Sequence, residues 1–220
     1  MDLVILALAP VAIILIYIYI RDKYEKEPWG LLLKTFMAGA FITLPIIILE
    51  GGLSTAAGGM IGLWAAAYDA FVVAAFSEEL FKFLVIYFLI RKSPHFNERF
   101  DGIVYAVFVS LGFAAVENVL YVLDGGLNVG LMRAITAVPA HAFFGVVMGF
   151  YFGKHLFINK SKYLFLALVW PILLHGVYDF ILMSEKYYLL VLFIPFLIFL
   201  WINGFKKMKY LSDRSIFKKE

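Results

Sequence analysis

Apolar runs of near-membrane length, separated by short charged or glycine-rich breaks, recur along the whole chain and constrain it more than any other feature. They fall at roughly 3–20, 31–49, 60–90, 101–123, 129–153, 163–183 and 187–205. Each approaches or exceeds the ~20 residues that an α-helix needs to cross a hydrocarbon core of ~30 Å. The third run is longer than a single span requires, so tilt, a kink, or a break near Ser77 into a re-entrant piece plus a span would each accommodate it. Hydrophobic residues make up 64% of the chain and charged residues 16%, which leaves too few polar side chains to coat a water-soluble globule. The expected fold is all-α, a polytopic membrane bundle of about seven transmembrane helices, or eight if the third run is broken. One domain covers 1–205, followed by a short, mobile basic cytoplasmic tail at 206–220, and no repeat or Ser/Pro-rich linker divides it. The chain opens with Asp2 and an apolar run without a basic leader or a small-residue cleavage site, so a retained first helix is expected rather than a signal peptide.

Charge sets the expected topology. Arg21, Lys23 and Lys26 lie in one break, Arg91, Lys92 and Arg99 in another, Lys154, Lys160 and Lys162 in a third, and six more basic residues follow Phe205. The alternate breaks hold almost none, so the positive-inside rule gives an outside N-terminus and a cytoplasmic C-terminus. The net charge of +3 is therefore a topology signal and implies no nucleic-acid partner. Cysteine is absent, which excludes disulfides, thiolate nucleophiles and Cys-ligated metals. Chemistry must come from oxygen and imidazole.

Ionisable groups inside apolar spans cost at least ~2.5 kcal/mol each on insertion scales, so each needs a partner or a function. Glu78, Glu79 and Lys82 lie in FSEELFKF, Glu117 and Asn118 in FAAVEN, Arg133 and His141 in the fifth run, and His175 and Asp179 in LLHGVYDF. Counted from the basic end of each run at ~1.5 Å per residue, Glu78, Glu117, His141 and His175 lie ~18–24 Å deep. Four groups from four helices thus share one level, slightly outward of the midplane, and form a single site if their faces converge. Glu78 and Lys82 are four apart, as are His175 and Asp179, so each pair shares a helix face. Gly145 and Gly149 follow His141 at a spacing that allows close helix approach, which packing alone explains.

Blander roles compete with function at several positions. Glu78 with Lys82 could be a register-fixing ion pair, although the adjacent Glu79 favours a doublet with one raised pKa suited to general acid/base work. A lone membrane histidine is often a structural strut, but His141 and His175 at equal depth strengthen each other. Arg133 is expected to snorkel to headgroups or to pair with Asp124. His95 and His155 fall in loops and are assigned no role.

The order and spacing of E-E-x-x-K at Glu78, Glu79 and Lys82, F-x-x-x-E-N at Phe113, Glu117 and Asn118, then His141, and H-x-x-x-D at His175 and Asp179 resemble the PrsW family of bacterial intramembrane proteases. The resemblance spans nearly the whole chain, including RDKYEKEP and FDGIVYAVFVSLGFAAVENVLY. It extends more distantly to CAAX prenyl endopeptidases and bacteriocin-associated membrane proteases. It implies a bacterial plasma-membrane enzyme that makes the site-1 cut, on the extracytoplasmic side, in a single-span anti-sigma factor, and so starts a stress response.

Peptide hydrolysis without Ser or Cys needs an activated water, a base and a group to receive the oxyanion. In a metal-free site, Glu78 or Glu79 is the base, His141 and His175 orient water and stabilise the oxyanion, Asn118 donates a further hydrogen bond, Asp179 fixes the His175 tautomer, and Lys82 keeps one glutamate ionised. In the rival version, a zinc ion is held by His141, His175 and Glu117, and the doublet deprotonates its water. H-E-x-x-H is absent, which removes the commonest helical zinc signature without removing zinc. A proton- or ion-coupled transporter is the competing class, and a non-catalytic helix-docking protein is the third.

Overall fold

The computed structural model describes residues 3–218. Asp2 and the last two residues of the basic tail, Lys219 and Glu220, lie outside the described residues. The described chain is mostly helical, with short loops between its elements: α1 (Leu3–Arg21), α2 (Trp29–Phe41), α3 (Thr43–Ala56), α4 (Gly62–Tyr68), a π-helical stretch Asp69–Phe76, α5 (Ser77–Val85), a second π-helical stretch Ile86–Ile90, α6 (Asp101–Ile135), α7 (Ala137–Ile158), α8 (Ser161–Met183), α9 (Tyr187–Leu190) and α10 (Phe193–Ser212). Five stretches among the described residues are long and apolar enough to cross a membrane: Leu3–Arg21, Trp29–Ala56, Asp101–Ile158, Ser161–Met183 and Tyr187–Ser212.

The 58-residue stretch Asp101–Ile158 cannot be one crossing, because at 1.5 Å per residue it would run far beyond any bilayer. It doubles back instead. Inside α6 the backbone at Gly126 leaves the helix with φ 72° and ψ −159°, a left-handed conformation that glycine adopts without a Cβ penalty. Beyond it the chain returns antiparallel: Gly153 packs on Arg99, Gly149 on Gly102, Gly145 on Ala106, and the Ser110 hydroxyl donates to the His141 carbonyl at 2.7 Å. A Cβ on Gly149 would fall onto the carbonyl oxygen of Gly102, so this small-residue seam admits no larger side chain without backbone movement. Gly149→Ala is expected to cost about 1–3 kcal/mol or more, read as a lowered Tm in detergent.

Every residue from Asp101 to Ala115 is buried, which makes the first half of α6 the central post. The other helices surround it and turn large apolar side chains outward, among them Ile13, Phe41, Ile48, Trp64, Phe88 and Phe165. Lipid is the solvent such a surface fits.

Residues 62–90 run as one helix. Asp69, Ser77 and Ile86 all have right-handed helical backbones, so the expected alternative of a break near Ser77 is not what forms. Length is absorbed by π geometry, whose i→i+5 bonds turn the chain less per residue. Val72 and Phe76 are exposed in the first π stretch, whereas Ser77, Glu78 and Glu79 just beyond it are buried. At the other terminus, α10 continues through 206–212 with Met208 and Leu211 buried, so the basic segment begins as packed helix rather than as a mobile tail. The apolar face of KKMKYLS explains the continuation.

Candidate active site

α5 enters the bundle with its carboxylates on the inner face, and α6, α7 and α8 bring the remaining groups to the same level. Lys82 Nζ donates to Glu78 Oε2 at 2.9 Å and to Glu79 Oε1 at 2.8 Å, and lies 3.3 Å from His141 Nδ1. An ammonium has three donors, and here it meets three acceptors. Its Nζ also sits 4.4 Å from the centre of the Phe113 ring. Glu78, Glu79, Lys82, His141 and His175 are each 5% exposed or less, so the cluster is an internal polar centre in an apolar bundle.

The two histidines are held in the same way. His141 Nε2 lies 3.0 Å from Glu117 Oε2, and His175 Nε2 lies 3.1 Å from Asp179 Oδ2. Carboxylates that accept from Nε2 fix each ring, leaving Nδ1 to face the centre. His175 Nδ1 is 3.0 Å from Glu79 Oε1 and 3.9 Å from Glu78 Oε2, and His141 Nδ1 is 3.9 Å from Glu78 Oε2. The rings meet edge to face with centroids 5.2 Å apart, while Phe144 stacks on His175 at 4.8 Å.

The depth estimate from sequence thus converges on one place: Glu78, Glu79, Glu117, His141 and His175 form a connected network, with Lys82 at its centre and Asp179 behind His175. Two expected roles change. Asn118 is fully buried, donates to the Ala7 carbonyl at 2.8 Å and accepts from Arg133 Nε at 2.8 Å. One N–H thus ties α6 to α1 and the oxygen holds Arg133, a bracing role in place of the expected oxyanion contact. Arg133 neither snorkels nor pairs with Asp124: it donates to Glu117 Oε2 at 2.7 Å because the turn at Gly126 folds the end of α6 back over the site.

Ligand atoms of Glu78, Glu79, His141 and His175 lie within 4.8 Å of one another, and Glu79 Oε2 is buried without a hydrogen-bond partner among the described residues. Two imidazoles and two carboxylates suit a divalent metal such as zinc, and the spare oxygen gives the set an unused donor. The residues therefore fit a metal. Glu117, expected as a ligand, is instead the carboxylate that orients His141, and the glutamate doublet takes its place in the group.

A cavity of about 1480 Å3 reaches the site, with Glu78, Glu117, His141, His175 and Asp179 in its walls. Glu79 is not among the lining residues, so Glu78 is the member of the doublet that faces incoming molecules. Glu50, Asp69 and Arg133 also line it. Sequence reasoning passed over Glu50, although a lone carboxylate closing the run LPIIILE carried the same intramembrane signal as the others.

Fold and site define a multi-pass membrane protein with a buried carboxylate–imidazole centre of hydrolytic type. The family model described as PrsW family intramembrane metalloprotease matches residues 27–202, and the chain belongs to that family of intramembrane peptidases. Protease PrsW of Clostridioides difficile (strain 630) is 42% identical over 221 residues, covering 96% of this chain and 92% of that protein. Protease PrsW of Geobacillus kaustophilus (strain HTA426) is 40% identical over 213 residues, covering 94% and 91%. Protease PrsW of Bacillus subtilis (strain 168) is 39% identical over 210 residues, covering 92% of each. No solved structure matches.

Proposed function

We propose that this protein is a metal-assisted intramembrane endopeptidase that makes the first cut in a single-span substrate of the anti-sigma-factor type. The observation that carries the reading is the convergence of the Glu78/Glu79 doublet with two Nε2-anchored histidines at the wall of a large cavity. The cavity extends to the loop residues Gly58, Gly59 and Met60 and to Ser184, Glu185 and Lys186, the end of the bundle poorest in basic residues. Taking 62–90 as one crossing and Asp101–Ile158 as two gives seven, with that end extracytoplasmic under the positive-inside rule. A substrate helix would enter there and unwind against the site. Family membership favours this reading over a transporter or a docking protein.

His141, His175 and Glu79 would hold the metal. Bound there, it supplies Lewis acidity and a fixed positive charge toward the scissile carbonyl. Glu78, exposed to the cavity, takes the proton from the attacking water and returns it to the leaving amine. Lys82 holds Glu78 in place through its hydrogen bond, Asp179 and Glu117 hold the two imidazoles in the tautomer that points Nδ1 inward, and Arg133 fixes Glu117. The surrounding apolar helices exclude bulk water and so strengthen each of these interactions.

Metal analysis of the purified protein, paired with cleavage of a single-span substrate before and after chelation, tests the assignment. About one equivalent of zinc, lost with activity and restored with it, is the expected result. Full activity in a metal-free sample would leave Glu78, Glu79 and Lys82 as the catalyst.

A further inference from the structure

A second carboxylate cluster sits at the opposite end of the bundle, where no part of the proteolytic site reaches. Ligand oxygens of Glu25, Glu27 and Asp101 lie within 4.8 Å of one another. Glu25 and Glu27 come from the loop between α1 and α2, and Asp101 opens α6. Glu27 is 2% exposed and Asp101 fully buried.

What distinguishes this cluster from an ordinary acidic loop is its unsatisfied oxygens. One carboxylate oxygen on each member, Glu25 Oε2, Glu27 Oε1 and Asp101 Oδ1, is buried without a hydrogen bond of good geometry, and so is the side-chain carbonyl of Asn97. The partner oxygens are occupied: Asp101 Oδ2 accepts from the amides of Asn97 and Glu98 at 2.8 and 2.7 Å, Glu25 Oε1 accepts from Asn97 Nδ2 at 3.3 Å, and Glu27 Oε2 accepts from the Tyr105 hydroxyl. Each carboxylate is therefore oriented by one oxygen and presents the other. Asp22, 1% exposed, flanks the group; the Glu27 amide faces it, yet neither of its oxygens makes a well-formed hydrogen bond.

Cationic compensation is thin. Lys26 is the basic residue whose charge acts on Asp22, but its ammonium donates to the backbone carbonyls of Tyr19 and Asp22 and rests over the Tyr19 ring. Buried oxygens that lack protons, water or a basic side chain are costly. Oriented carboxylates with a spare oxygen each are what a hard cation uses.

We infer that Glu25, Glu27 and Asp101, with the Asn97 carbonyl and Asp22 beside them, form a structural site for an oxygen-ligated divalent cation, Ca2+ or Mg2+, that clamps the α1–α2 loop to the start of α6. Every donor named is a hard oxygen, carboxylate or amide carbonyl, with no imidazole among them, so the set favours Ca2+ or Mg2+ over the softer metals that the histidine-containing centre suits. Because α6 is the central post and carries Glu117 roughly four and a half turns farther along, the clamp fixes the register of the helix that orients His141. The side chain of Ser215 and the backbone of Ile216 lie against Glu98 beside it, so the segment just after α10 packs on the same loops.

The test uses the full-length protein in detergent, stripped with chelator, in a Glu78→Gln/Glu79→Gln background that silences the other metal group. Millimolar Ca2+ or Mg2+ is added and Tm and binding heat are recorded. One saturable equivalent that raises Tm by several degrees is expected, and the cation giving the larger rise identifies the occupant. Glu25→Gln, at the partly exposed position where folding is least at risk, should weaken binding at least 10-fold, and Glu25→Gln/Glu27→Gln should abolish it. No binding of either cation would overturn the site and show that a shared proton holds the Glu27–Asp101 pair. Binding unchanged in Glu25→Gln would overturn it equally.

Discussion

Glu78→Gln is expected to lower the rate of substrate cleavage by about 10^2–10^4-fold, the usual loss when a positioned general base is removed, while leaving the helical bundle intact. Gln is isosteric, so the cavity keeps its shape. Lys82 loses one charged acceptor but keeps Glu79 at 2.8 Å and His141 Nδ1 at 3.3 Å. The variant therefore isolates proton transfer from packing. Single-turnover cleavage of a single-span substrate, beside circular dichroism and Tm on the same sample, gives the comparison. A drop in kcat with little change in KM is the signature of an interaction made in the transition state. Near-parental cleavage would remove Glu78 as the base and transfer the role to Glu79, which lies behind it and away from the cavity wall.

Lys82→Met should produce the largest stability change of any single substitution in the site. Met fills the aliphatic volume beside Phe113, so the effect is electrostatic. It leaves Glu78 and Glu79 adjacent, 5% and 0% exposed, with no ammonium between them. Removing one partner of a buried ion pair typically costs about 3–5 kcal/mol, because the other charge stays buried and uncompensated. Thermal unfolding of the chelated protein in detergent should show that loss, and adding zinc should recover much of it, since a divalent ion can then neutralise the same two carboxylates. A chelated variant as stable as the parent would mean that protonation of the doublet compensates instead. Stability unrecovered by zinc would count against the metal-holding reading while leaving the glutamates as the reactive pair.

The two centres at opposite ends of the bundle differ in the way their chemistry predicts. The proposed proteolytic site combines imidazole, carboxylate and ammonium and opens to a cavity; the Glu25, Glu27 and Asp101 cluster is all oxygen and is enclosed by loops. Chelation experiments on this protein should accordingly separate into an effect on catalysis and an effect on Tm, and the two sets of variants assign each effect to its own residues.

By itself the sequence determined that this chain is a helical membrane protein and which residues form its polar centre. Both follow from additive physics: the period and length of apolar runs report burial in lipid, and a rise of ~1.5 Å per residue turns position along a run into depth, so Glu78, Glu117, His141 and His175 could be placed at one level without a structure. Helix spacing likewise gave the Glu78–Lys82 and His175–Asp179 pairs. Azimuth and partner choice were decided only by tertiary structure. The side of a helix that faces the interior depends on local winding, and the π stretch at Asp69–Phe76 resets it ahead of Glu78. Arg133 reaches Glu117 and Asn118 because Gly126 reverses the chain, a fold-back that no spacing rule contains. That reversal turned Asn118 from an expected oxyanion donor into a brace, and Glu117 from an expected ligand into the carboxylate that orients His141. The acidic cluster at Glu25, Glu27 and Asp101 stayed invisible for the same reason: Asp101 is far in sequence from the other two, each looks like an ordinary loop acid, and only the packing of the α1–α2 loop on the start of α6 takes their oxygens out of water together.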